Sequence, residues 1–166
     1  MSELSLIEHK SYIGQDFLTW LLAMSEIRGG EMHVPKCGKF DLIFDQKVIM
    51  TSAAEKVAWT GEITSIDQIR AAIRTGKKVL EAQFRLTAGP KEWRFNLNTR
   101  TFQFKGVKTP KILAREDTEI LYDKLDVLDE LIGFIDELFS EFVRRRLDRQ
   151  SWEAEVDAIR NWLNWT

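Results

Sequence analysis

Three features of the sequence predict an α+β fold: an apolar stripe at helical spacing near the N-terminus, a middle third of two-residue alternation, and a long heptad-spaced stretch towards the C-terminus. The expected order is an N-terminal helix, an antiparallel sheet of five or six strands with one inserted helix, and a C-terminal helical hairpin. Residues 1–115 form the sheet domain in this reading. Residues 116–166 form the hairpin, packed on it as one compact unit.

The first helix, of about 15 residues, follows from Ile13, Phe17, Trp20, Leu21 and Met24. Leu18 and Leu22 widen that stripe, which predicts a largely buried helix, and Gly29-Gly30 supplies its stop. Phe40, Leu42 and Phe44 then alternate with Lys39, Asp41 and Ile43, which reads as a strand, and Asp45-Gln46 reads as a tight turn into a strand over Lys47–Thr51. Lys56–Thr60 reads as another short strand. Ser65 with Gln68 has the form of a capping box, opening a helix that turns Ile66, Ile69 and Ile73 inward and ends at Gly76.

Three strands are predicted next. The first carries Leu80, Ala82, Phe84 and Leu86 on one face, with Glu81, Gln83 and Arg85 on the other. After Gly89-Pro90, the second places Trp93, Phe95 and Leu97 opposite Glu92, Arg94 and Asn96. The third turns Phe102 and Phe104 inward, with Gln103 and Lys105 outward. Strands of this half-apolar kind need a second layer on one side only.

From about Glu116 the pattern changes. Leu121, Leu125, Leu128, Ile132, Ile135, Phe139 and Phe142 are spaced by alternating fours and threes, a heptad seam. Leu131, Phe134 and Leu138 widen it, enough for the chain's own sheet on one side and a second helix on the other. Leu121, Leu125, Leu128, Ile132 and Ile135 are the expected oligomer interface of a homo-oligomer. A shorter helix carrying Trp152, Val156, Ile159 and Leu163 folds back after a break near Asp148–Ser151.

Charge is segregated. Residues 65–115 hold twelve basic residues against Asp67, Glu81 and Glu92, a net of +9, whereas residues 116–143 hold ten acids against Lys124, a net of −9. Either the acidic helix neutralises the basic strands, or the basic strands face solvent and attract phosphate by releasing counterions. In the second case the nucleic-acid contacts are Arg70, Arg74, Lys77, Lys78, Arg85, Arg94 and Lys105, which would hold phosphates and read little sequence. The aromatic residues of these strands share the apolar face, so they read as core, not as a base-stacking platform. Arg144-Arg145-Arg146 with Arg149 suit a helix C-terminus and could also touch a phosphate.

Catalytic patterns are missing. Gly76-Lys77 is followed by Lys78 where a phosphate-binding loop needs Ser or Thr for magnesium. His9 and His33 have no metal-ligand spacing with each other or with Cys37. Cys37 beside Lys36 could have a lowered pKa, but no general base accompanies it. Asp41 and Asp45, with Glu55 and Glu62, are the carboxylates a two-metal nuclease would need, and no nearby Glu-x-Lys completes that pattern. No enzyme activity, cofactor or metal is therefore expected. No apolar run approaches the ~20 residues that span a bilayer, the chain opens Met1-Ser2-Glu3-Leu4, and its single cysteine suits a reducing compartment; a cytoplasmic protein with no membrane partner is expected.

The run Ile13–Leu21 with Ser25-Glu26, the run Ala71–Lys78, the strand Glu92-Trp93-Arg94-Phe95 and the acidic Leu-rich helix with its Trp-rich end together resemble a family of small bacterial and phage proteins found alongside, or grouped with, the recombination-associated protein RdgC. The resemblance extends from about Leu6 to Trp162. RdgC binds duplex DNA without sequence specificity as a ring-shaped dimer and restrains a recombinase. The resemblance implies a recombination or DNA-maintenance setting, with DNA and an RdgC-like or other recombination protein as partners. The present chain is shorter than RdgC and slightly acidic.

Overall fold

The computed structural model describes residues 10–51, 56–60, 66–99 and 101–164. In chain order the elements are α1 (Lys10–Ile27), β1 (Glu31–Val34), β2 (Gly38–Thr51), β3 (Lys56–Thr60), α2 (Ile66–Arg74), β4 (Lys78–Ala88), β5 (Lys91–Asn98), β6 (Gln103–Lys108), α3 (Asp117–Leu147) and α4 (Arg149–Leu163). This is the α+β architecture the residue pattern predicts. The described residues form a sheet of six strands with antiparallel pairings, an inserted helix and a C-terminal helical pair.

β2 organises the sheet. One edge pairs with β4 along most of its length; the other pairs with β1 at residues 38–41 and with β3 at residues 47–51. β4, β5 and β6 continue as a meander. Because β3 and β4 are both antiparallel to β2, they run in the same direction on its two edges, and α2 lies between them in the chain.

Two expected details differ. Asp45-Gln46 is not a turn: β2 runs straight through it as a bulge, so that Phe44 faces Phe84 and Val48 faces Ala82. Two extra residues preserve the two-residue period, and Phe44, Val48 and Met50 all stay in the core. Phe102 is not an inward strand residue either. It lies before β6 at φ 52°, a left-handed conformation unusual for a bulky side chain, and leans edge-on against Phe139 of α3. β1 was not anticipated. Ser65 lies outside the described residues.

Among the described helices, α1 and α3 pack on the apolar face of the sheet, and α4 packs on both of them and on α2. Phe17, Leu18, Leu21 and Leu22 of α1 are fully buried, as the wide stripe predicts. The chain leaves α1 through Gly29 and Gly30, both at positive φ. At Gly30 a Cβ would sit 3.1 Å from the Ile43 side chain, and its carbonyl accepts from the Leu42 N–H at 2.8 Å, so glycine there lets the turn lie directly on β2. Phe134 of α3 packs against Phe40 and Trp93, and the Trp93 Nε1–H donates to the Val127 carbonyl at 2.8 Å. Farther along, Phe142 lies among Phe17, Trp20 and Trp152. Sheet, α1, α3 and α4 thus share one core. Asp148 separates the last two helices at the predicted break and caps α4, accepting from the Ser151 N–H at 3.2 Å.

Candidate nucleic-acid interface and the helix seam

With the helices on one side, the opposite face of β4, β5 and β6 carries no described helix. Cross-strand register defines what gathers there. Arg85 lies directly opposite Arg94, and Arg94 opposite Lys108, so three cations form a row across three strands. Lys105 stands beside Asn96 one step along. Gly106 makes the bulge that brings Lys108 into this row, at a φ of 59°.

The anions of this surface are Glu81 and Glu92. Glu92 accepts from Arg94 Nε at 3.1 Å, and the buried Glu81 accepts from Asn98 Nδ2 at 3.2 Å with Lys105 Nζ 3.9 Å away. Four cations against two carboxylates leave a local excess of +2, far less than the +9 of the whole segment. Arg85 makes no ion pair among the described residues. Like charges placed directly opposite on a sheet repel, and Arg85, Arg94 and Lys108 accept that arrangement on an open surface.

The remaining cations of the segment go elsewhere. Lys91 turns to the helix side, where Glu130 of α3 accepts from it at 2.6 Å, so the acidic helix does neutralise part of the basic strand region. Lys111 and Arg115 lie in the connection to α3, and Arg100 lies outside the described residues. Arg70, Arg74, Lys77 and Lys78 belong to the helical side of the molecule. Arg70 is bound to Asp67 and donates to the Trp162 carbonyl at 3.2 Å, tying α2 to the end of α4 with only 11% of its side chain exposed. Lys78 is 2.5 Å from Asp16 of α1, and Arg146 is 3.3 Å from the other oxygen of that carboxylate. Arg74 is exposed. The seven predicted contacts therefore split: Arg85, Arg94 and Lys105 share the open sheet face, and the four residues of α2 and the start of β4 do not join them. Sequence reasoning gave Lys108 no role, because its place in the row depends on the bulge at Gly106.

The arginines that end α3 are engaged within the fold. Arg144 and Arg145 both bind Glu141, Arg145 also binds Glu155, and the Arg146 guanidinium lies 4.6 Å over the Trp152 ring. Glu155 is buried and accepts from Trp20 Nε1 at 3.1 Å, so this one carboxylate connects α1, α3 and α4.

Cys37 differs from expectation. Burial pushes its thiol up, the nearby Glu137 carboxylate pushes it further, and Lys36 opposes them only weakly while its ammonium lies 3.3 Å from Glu137. Among the described residues no three His, Cys, Asp or Glu side chains converge as a metal site, and no helix is long and apolar enough to cross a membrane. Asp41 is exposed on the outer side of β2 and Asp45 is half-buried at the bulge, while Glu55 and Glu62 lie outside the described residues.

The predicted seam of α3 also divides. Leu121, Leu125 and Ile132 are 56%, 50% and 43% exposed, and Leu128 is half-buried, but Ile135 is only 5% exposed and belongs to the core. At 3.6 residues per turn the row drifts by only about 40° between Leu121 and Ile135; the larger difference is that the first turns of α3 are exposed almost all the way round, whereas by Ile135 the same row lies against the core. Ile135 is therefore not an interface residue. From Asp117 to Asp126 every residue except Ile120 is exposed. Neither models of known protein families nor curated proteins match this chain.

Proposed function

We propose that this chain is a non-catalytic, DNA-associated accessory protein that grips phosphates without reading sequence, in an RdgC-like recombination or DNA-maintenance setting. The observation that carries this reading is the row of Arg85, Arg94 and Lys108 across the sheet face that no described helix covers, with Lys105 beside it. A bound phosphate would relieve their mutual repulsion. Extended side chains on a flat sheet hold a backbone but present no recognition element to a groove.

A salt titration of duplex and single-stranded DNA tests the reading. With no more than four cations in play, the slope of log K against log salt on duplex should be no steeper than about −4, at about −0.9 for each neutralised phosphate. Replacing Arg85 and Arg94 together by Ala should weaken binding equally on unrelated sequences and flatten the slope by about 2. Arg70→Ala, on the far side of the molecule, should leave the slope unchanged. No binding at low salt, or a slope indifferent to Arg85 and Arg94, would reject the proposal.

A second reading is a protein-interaction module that uses α3 and has no nucleic-acid affinity. The exposed row of Leu121, Leu125 and Ile132 is the observation in its favour.

A further inference from the structure

We infer that the exposed half of α3 is covered by a second copy of this chain, paired antiparallel about a two-fold axis between Asp126 and Val127. The inference rests on the second reading above, in that α3 is an interaction surface, and is independent of the phosphate-binding face. A ten-residue stretch of helix with almost no tertiary burial is marginal in water, because helical stability in proteins comes mostly from packing an apolar face. Here that stretch also exposes large apolar side chains, Leu121, Tyr122 and Leu125.

The stripe is complementary to itself. One two-fold axis relates Leu121 to Ile132 of the second copy and Leu125 to Leu128, so the four apolar residues fill two kinds of layer with no position left over. This is the alternation of layers that antiparallel helix pairs require, and an isologous contact of this kind closes at two subunits.

Charge would appear to oppose self-pairing of so acidic a helix, but the placement of the acids removes the objection. At 100° per residue Glu119, Asp123 and Asp126, all exposed, point away from the stripe, and Glu130, also on the opposite side, is held by Lys91 of the same chain. On the flank, the axis sets Tyr122 beside Asp129 of the second copy, where the phenol can donate to the carboxylate. A donor and an acceptor therefore meet on the flank of the seam, the kind of pairing by which helix pairs select their partners.

Sedimentation of the full chain from roughly 1 to 200 µM, the range suited to a small interface, should show the 19.4 kDa monomer passing to a dimer. Leu121→Asp with Leu125→Asp, both at exposed positions, should keep the chain monomeric with an unchanged circular dichroism spectrum. In a Cys37→Ser background, mixed Leu121→Cys and Ile132→Cys chains should form a disulfide-linked dimer more readily than either chain alone. A monomer at every concentration, a dimer indifferent to the two aspartates, or preferential linkage of like with like would overturn the pairing. DNA titration of the double-Asp variant reports separately on the sheet face, so failure of the dimer and failure of phosphate binding are distinguishable. A chain that stays monomeric would refute self-pairing while leaving the stripe open to a different partner.

Discussion

Leu121 and Phe142 occupy the same heptad row of α3, three repeats apart, yet Leu121 is exposed and Phe142 is buried among Phe17, Trp20 and Trp152. The two halves of the helix have the same spacing and opposite surroundings. A run of fours and threes establishes that a helix has an apolar row, but where that row points is decided by rotation along the axis and by where the sheet beneath it ends. The contrast is testable by truncation. Phe142→Ala should cost about 3–5 kcal/mol in urea unfolding, because a large ring is removed from a packed site. Leu121→Ala should stay within about 0.5 kcal/mol under conditions where the chain is monomeric. Similar losses at both positions would show that the exposed half is packed in the monomer after all.

Glu155 extends the comparison to polar groups. The buried half of α3 ends at a carboxylate that satisfies Trp20 Nε1 and Arg145 together; the exposed half holds its acids in solvent. Glu155→Ala should cost about 2 kcal/mol, since the buried indole N–H loses its acceptor and Arg145 loses one of two partners. Asp123→Ala, on the exposed half, should change stability by no more than a few tenths of a kcal/mol. Unfolding midpoints of the two variants, measured side by side, provide the check. An equal effect would mean that Glu155 contributes nothing through its buried contacts.

The same contrast explains what could be read from the residues. Strand faces were legible because Phe84, Phe95 and Leu97 alternate strictly with polar neighbours, and period two admits only one division of faces. The first helix was legible because Gly29 and Gly30 mark its end. The bulge in β2 was not, because Asp45-Gln46 has turn chemistry and only pairing with β4 shows that the strand continues. Lys108 was missed for the same reason, since a bulge changes which side chains become neighbours. The basic site was half legible. Local alternation placed Arg85, Arg94 and Lys105 on one face, but net charge along the chain gave no sign that Arg70, Lys78 and Lys91 turn to the helical side to meet Asp67, Asp16 and Glu130. Trp162 and Glu155 escaped notice because a short helix of mixed polarity does not show which turn its neighbours will cover.

The smallest expected effect lies in acid, where the clamp at the end of α3 should make the buried half pH-sensitive. Burial pushes the Glu141 carboxyl up, but hydrogen bonds and charge from Arg145, with Arg144 adding to them, outweigh it and hold the group below its ordinary value of 4.5. A carboxyl with a depressed folded pKa takes up protons more readily once the chain unfolds. Its stabilisation is complete above the ordinary value and is lost as the pH falls through the folded one. Because Arg144 is largely exposed, the contribution should be under about 1 kcal/mol. Urea midpoints of the native chain and of Glu141→Gln should therefore differ at pH 7 and converge as the pH falls below about 4, the range in which carboxylates protonate. Leu121→Ala should instead run parallel to the native chain throughout that range. A constant gap between Glu141→Gln and the native chain at every pH would show that the loss comes from packing or hydrogen bonding of the neutral side chain, with the ion pairs to Arg144 and Arg145 contributing no stability of their own.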